Sequence, residues 1–350
     1  MIAADDLEIM VEDGEYLCLL GPTGAGKTTA LRIIAGLTRP DSGQVFLDVR
    51  DVTDLEPEER SAVLLSQTYS LFPTMTVAEN VMFGPEIRKV PEDIRKRTLV
   101  ELLDLVRLTK RADAYPRELS GGMQQRSALA RALATNPDVL LLDEPLRALD
   151  ARLRIDLRYE LRSMAKALGL TVIHVTHDQE EALVMADRIA VIRNGRIIQI
   201  GTPREVFDSP ATPFVANFVG QSNFFTGSVL CSGNDRTTTV HDEDGRVVFA
   251  RPCALPADSK VVVAVKIGNT RVVKKSDAFL TGTVERALFE GRIVHLDVDV
   301  PGLGRYSVKL PATRRDQVAV GDEIGLNWSV RKASVFPYPE GGLERELRVD

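Results

Sequence analysis

The chain has 350 residues, 44% of them hydrophobic, and a formal net charge of −6 at pH 7. That length exceeds what one ordinary core fills, so two domains are expected, and the acidic balance argues against a broad nucleic-acid-binding face, which has to be basic. Cys18, Cys231 and Cys253 have no metal-binding spacing, as in a reduced cytoplasmic protein, and neither a signal segment nor a membrane-length apolar run is present, so any membrane role is expected to come through a partner.

Residues 15–20 are a short apolar run ending at glycine and read as a buried strand. Residues 28–35 look helical and are closed by Gly36. From residue 77 the chain is rich in Leu, Glu and Arg, with apolar spacing at Leu99, Leu102, Leu103 and Val106; a helical insertion is expected over about residues 77–135. Residues 139–142 read as a second buried strand. Residues 151–168 place Leu153, Leu157, Leu161, Met164 and Leu168 on one helical face, with Gly169 as the stop. Residues 171–175 are a strand again, and this alternation implies a parallel α/β sheet.

The character changes near Gly220. Strand-like runs follow at 224–231, 261–266, 282–287, 293–300 and 305–310, separated by turn signals such as Asp244-Gly245 and Pro301-Gly302. In the fourth run Val294, Leu296, Val298 and Val300 alternate with His295, Asp297 and Asp299, which predicts one buried face and one wet face. The expected layout is an α/β domain over residues 1–220 and a small all-β, barrel-like unit over 221–350.

Gly21-Pro22-Thr23-Gly24-Ala25-Gly26-Lys27-Thr28 is a full phosphate-loop pattern, placed between a strand and a helix as it must be. Its glycines let backbone N–H groups wrap phosphate oxygens, Lys27 reaches the outer phosphates, and the Thr28 hydroxyl can ligate Mg²⁺; Thr29 continues the same turn. Asp143 and Glu144 end an apolar strand. Alone they read as a strand running into an acidic turn. Beside a phosphate loop, Asp143 can hold Mg²⁺ through water, and Glu144 can orient or deprotonate an attacking water. His177 follows another strand and could donate to a γ-phosphate, while His174, inside that strand, reads as core. Gln67 is an amide able to contact Mg²⁺ or water, though uninformative by itself. The run Leu-Ser-Gly-Gly-Met-Gln-Gln-Arg ending at Arg126 puts Ser120, Gly121 and Gly122 at the start of a helix, a second set of free N–H groups for an anion.

In this order the motifs resemble the ATP-binding subunit of ATP-binding cassette (ABC) transporters. The loop of residues 21–28 looks like Walker A, Gln67 the Q-loop, Ser120 to Gly122 part of the family signature, Asp143-Glu144 the end of Walker B, Asp150 part of the D-loop and His177 the switch histidine. The resemblance implies a phosphate-loop cassette binding ATP and Mg²⁺. It also implies a head-to-tail dimer with a second copy, in which Ser120 and Gly122 of one subunit close over the ATP held by Lys27 of the other. The β-rich half is similar to the transport-associated oligonucleotide-binding-like (TOBE) domain of an importer subclass, which stabilises the dimer and can sense regulators. Thr202-Pro203-Arg204-Glu205-Val206-Phe207, Ser222-Asn223-Phe224 and the closing Ile324-Gly325-Leu326-Asn327-Trp328 carry that likeness.

Membrane-spanning permease subunits are then expected as partners, docking on the helical insertion and on Tyr69-Ser70-Leu71-Phe72-Pro73, with a solute-binding protein engaged indirectly. The implied location is the cytoplasmic face of the bacterial inner membrane, as a peripheral subunit that binds no nucleic acid. The solute leans toward a polyamine. A non-transport ABC ATPase of repair or translation, and a regulatory subunit without turnover, stand as alternatives.

Two features depart from the family pattern. Family members carry an adenine-stacking aromatic residue upstream, whereas Met1 lies close before the loop and Tyr16 is too near it for that role; a start upstream of Met1, or a shortened chain, is expected. Arg147 stands where the D-loop usually carries a small residue such as Ser, and altered communication between the two ATP sites is weighed there against tolerated variation. Thr23 in place of the commoner Ser is conservative.

Overall fold

The computed structural model describes residues 3–66, 68–147, 151–232 and 237–349. The chain divides into two compact units, one up to Pro203 and the other Arg204–Val349.

The first unit is built on a six-stranded sheet. β1 (Tyr16–Leu20) leads into α1 (Lys27–Ile34), followed by a small hairpin of β2 (Phe46–Leu47) and β3 (Arg50–Asp51), and by β4 (Ala62–Leu65). Three helices come next: α2 (Val77–Ile87), α3 (Glu92–Leu105) and α4 (Gly121–Leu133). The chain returns through β5 (Val139–Asp143), α5 (Ala151–Ala167), β6 (Thr171–Thr176), α6 (Gln179–Met185), β7 (Arg188–Arg193) and β8 (Arg196–Gly201). The sheet order is β4-β5-β6-β1-β7-β8, parallel except that β8 runs antiparallel to β7. The sheet is therefore mixed at one edge. Asn194-Gly195, both at positive φ, close the β7–β8 turn, the chemistry a tight hairpin requires.

β1 is buried along its whole length, as a parallel strand covered on both faces must be. Leu17 and Leu19 pack with Leu31 of α1 and with Leu141, Ile173 and Ile192 of neighbouring strands. The helices α2 to α4 form their own cluster around Val77, Val81, Leu103 and Ala130, with Leu99 and Leu102 partly buried against it. Thr76 and Glu79 cap α2 reciprocally, which satisfies two N–H groups that the helix cannot. On α5, Leu157 and Leu161 are buried as their spacing predicts, but the helix stops at Ala167 and Leu168 is 45% exposed. The side chain of Leu153 lies outside the described residues.

The second unit begins one residue into α7 (Pro203–Asp208) and continues with α8 (Pro213–Phe218), whose N-terminus Thr212 caps through its hydroxyl. Ten strands follow: β9 (Ser222–Ser232), β10 (Thr238–His241), β11 (Val247–Ala250), β12 (Lys260–Lys266), β13 (Arg271–Val273), β14 (Leu280–Phe289), β15 (Ile293–Val300), β16 (Gly304–Pro311), β17 (Glu323–Asn327) and β18 (Ala333–Pro337), with α9 (Leu343–Leu347) at the end. They form two five-stranded antiparallel sheets, β11-β10-β9-β12-β18 and β13-β17-β14-β15-β16. Both sheets contribute to one core, which includes Phe225, Val263, Leu296, Val298, Leu326 and Trp328.

β15 alternates as expected with one exception. Asp297, predicted on the wet face, is 7% exposed. Arg286 Nε donates to its Oδ2 at 2.8 Å and the Ser307 hydroxyl to its Oδ1 at 3.1 Å. Burial alone would raise the carboxyl's pKa, but these bonds outweigh it and hold the group below its ordinary range. A register shift between Val284 and Arg286 brings the guanidinium opposite Asp297, a pairing that a strand's own alternation does not reveal.

Candidate nucleotide-binding site

β5, β6 and β1 are adjacent and parallel, so the loops after them leave from the same carboxyl edge of the sheet. Those loops carry Asp143-Glu144, His177 and the phosphate loop.

In the phosphate loop, Gly21, Pro22, Ala25 and Lys27 are buried while Thr23, Gly24 and Thr28 are exposed, and Thr29 is intermediate. Gly26 sits at φ 97°, and a Cβ there would meet the Ala3 carbonyl oxygen at 1.8 Å. Gly24 sits at φ 81° with nothing within 4 Å of its Cβ position, so its outer side is open to a ligand. The Lys27 ammonium donates to the Gly21 and Pro22 carbonyls, each at 2.8 Å. Burial lowers its pKa against the pull of Glu144 and Asp143. Gly26→Ala is expected to cost about 2 kcal/mol or more of stability, because it adds both a strained φ and a backbone clash. Thermal melting with and without ATP measures this, and an unchanged midpoint with normal nucleotide protection would contradict it.

The Thr28 hydroxyl donates to Asp143 Oδ1 at 3.1 Å. Burial raises the Asp143 pKa, with the Thr28 bond opposing and Glu144 adding to the rise. This oxygen-only pair suits a hard cation that keeps most of its waters, the habit of Mg²⁺. Among the described residues no group of three or more His, Cys, Asp or Glu could hold a metal by itself.

Glu144 has φ 46°, and its N–H donates to Val175 O at 3.0 Å, tying the end of β5 to β6. His177 Nδ1 lies 2.8 Å from Glu144 Oε1, and Arg147 Nη1 donates to Oε2 at 2.9 Å. Burial would raise the Glu144 pKa, but the bonds to His177 and Arg147 bring it below its ordinary value.

The residues on either side of His177 are held in place. Thr176 donates its hydroxyl to buried Glu181 at 2.8 Å and accepts the Asp178 N–H at 2.9 Å. Asp178 caps α6 through its carboxylate and accepts from buried Arg158 at 2.7 Å. Thr176, Asp178, Glu181 and Arg158 carry no motif of their own, and their contacts join segments that are apart in the sequence. His174 is fully buried, 3.0 Å from the Tyr16 hydroxyl, and burial pushes its pKa down to about 3, so it is a neutral core residue. Tyr16, 1% exposed, belongs to that core and offers no face to adenine.

Ser120 caps α4, accepting the Met123 N–H at 3.4 Å; Ser120 and Gly121 are exposed and Gly122 is buried. Among the described residues no hydrogen bond or ion pair joins these three to the phosphate loop. Gln67 and Asp150 lie outside the described residues. Just after Gln67, Tyr69 is 6% exposed and donates its hydroxyl to Pro145 O at 3.1 Å, and Arg131 of α4 donates to the Tyr69 and Ser70 carbonyls at 3.0 and 2.8 Å. Tyr69 is therefore a structural tie and no part of an exposed docking stretch; Leu71 and Phe72 are half-buried and Pro73 is exposed.

The ABC transporter family matches residues 4–147, and the TOBE domain family matches residues 257–336. The chain is 40% identical over 345 residues to the spermidine/putrescine import ATP-binding protein PotA of Thermobifida fusca, covering 96% of this chain and 88% of that protein. It is 48% identical over 333 residues to the protein of the same name from Aggregatibacter actinomycetemcomitans, covering 92% and 89%. The chain belongs to the ATP-binding subunits of ABC importers. As a member it is an ATPase, with a P-loop cassette in its first unit and a TOBE domain in its second. The ATP-binding cassette MJ0796, solved as a dimer in a post-hydrolysis state with ADP and Pi, is 33% identical with a TM-score of 0.51, covering 58% of this chain and 91% of that one. That share corresponds in size to the first unit. No described helix of this importer subunit is long and apolar enough to cross a membrane.

Proposed function

We propose that the chain hydrolyses ATP to drive import of a polyamine of the spermidine and putrescine class, working as a head-to-tail pair on a membrane-spanning permease. The observation that carries the chemistry is the meeting of Glu144 and His177 at 2.8 Å, at the ends of β5 and β6, beside the loop that follows β1. In this reading the backbone of residues 21–28 and Lys27 grip the ATP phosphates, and Thr29 supports the same turn. Thr28 and Asp143 would hold Mg²⁺, which would supply charge neutralisation at the phosphates. Glu144 accepts the proton of the attacking water, and His177 orients Glu144 and donates toward the outer phosphate. Gln67 and Asp150 keep the roles their motifs imply, lining the metal-water site and the subunit contact.

The exposed Ser120 and Gly121 at the start of α4 suit the second half of this reading. The first turn of a helix has N–H groups without intrahelical partners, and at this exposed end a partner subunit's ATP would meet them. The solved cassette is a dimer, and both relatives are named as import proteins, which supports the pair and the permease. A peripheral position on the cytoplasmic membrane face follows from that arrangement.

Uptake of labelled spermidine and putrescine into vesicles containing the permease, with this subunit and ATP on the same side, tests the reading. ATP-dependent uptake lost with Lys27→Ala is the expected result. Permease-stimulated ATP turnover with no polyamine uptake would overturn the substrate while leaving the ATPase in place.

A further inference from the structure

We propose that Arg147 is a positioning residue that restrains Glu144, keeping ATP turnover below what the site could otherwise reach. The inference rests on Glu144 being the group that activates water.

The geometry is specific. Glu144 has two carboxylate oxygens and both are engaged: His177 holds Oε1 and the Arg147 guanidinium holds Oε2. A water that is to give up its proton has to approach this carboxylate beside these partners and compete with them for its lone pairs. His177 sits on a strand end fixed from both sides through Thr176 and Asp178. Arg147 reaches in from solvent, with its side chain 57% exposed against 16% for Glu144. It is the partner that can give way. Its own N–H donates to the Glu144 carbonyl at 3.2 Å, so the turn keeps the guanidinium within reach. A side chain as short as Ser at position 147 could not span to Oε2.

The pair is partly exposed, so its strength is modest. Any surface that covers Arg147 and offers it another acceptor would release the restraint.

The test uses the full chain with ATP and Mg²⁺ and reads steady-state phosphate release. Arg147→Ser is expected to raise kcat about fivefold, equivalent to about 1 kcal/mol, with KM for ATP unchanged. Arg147→Lys keeps a cation in reach and is expected to stay within about twofold of the parent. In a Glu144→Gln background, Arg147→Ser should give no gain, since the restraint acts through that carboxylate. An unchanged or lower kcat for Arg147→Ser overturns the proposal, and so does a gain that persists with Gln at 144. If Glu144→Gln alone turns over like the parent, the assignment of Glu144 itself has failed. If it collapses turnover and Arg147→Ser brings no gain, only the restraint has failed.

Discussion

Glu144→Gln is expected to bind ATP normally and to hydrolyse it about 10²- to 10⁴-fold more slowly, the range general-base catalysis contributes. The substitution keeps the side chain's length and its acceptor toward Arg147, but Gln cannot take a proton from water. The amide also loses the charge-assisted part of the bond to His177, 2.8 Å away. Binding should be preserved because the phosphate grip lies elsewhere, in residues 21–28. Equilibrium binding of a fluorescent ATP analogue together with single-turnover hydrolysis separates the two effects. Turnover within about tenfold of the parent would remove Glu144 from its role. The same variant offers a check on pairing: with hydrolysis blocked, ATP should shift the sedimentation of the chain from one copy to two.

Trp328→Ala is expected to destabilise the second unit by about 3–5 kcal/mol, as large aromatic truncations in cores do. Trp328 is 4% exposed and sits in the core that both sheets share. Its indole N–H donates to Phe249 O at 3.0 Å, and its ring meets Phe279 edge-on at 5.3 Å. Truncation loses the packing, the ring contact and a partner for a buried carbonyl together. Urea unfolding followed by far-UV circular dichroism reads the change, with Trp328→Phe as the milder control. A midpoint shift smaller than that of Trp328→Phe would show that the site collapses without cost.

Much of this protein was legible in its residues because the decisive patterns are local. The phosphate loop needs eight consecutive residues between a strand and a helix, and β1 and α1 stand where that context requires. β15 matches its expected span, since alternation along one strand reports the two faces of a sheet. Ser120 starts a helix because Ser-Gly-Gly is capping chemistry. Pairings between distant segments were not legible. Asp297 looked solvated until a shifted register brought Arg286 to it. Tyr69 looked like a surface aromatic, but its hydroxyl finds Pro145 across the unit. The small strands β10, β11, β13 and β18 are three to five residues long, too short to show a period against turn-rich neighbours. Arg147 was visible as an odd residue in its motif, but its contact with Glu144 required the turn to be seen.

The backbone of Glu144 has a consequence for how this sequence can change. At φ 46° a residue with a Cβ is held about 1–2 kcal/mol above its relaxed state, and glycine or asparagine would relieve much of that. Random variants selected only for survival at high temperature should therefore gain at this position by losing the carboxylate. Variants selected for growth on the imported solute should keep it and compensate elsewhere. Position 144 is thus a point where heat tolerance and turnover pull in opposite directions, and thermostabilising libraries should leave it fixed.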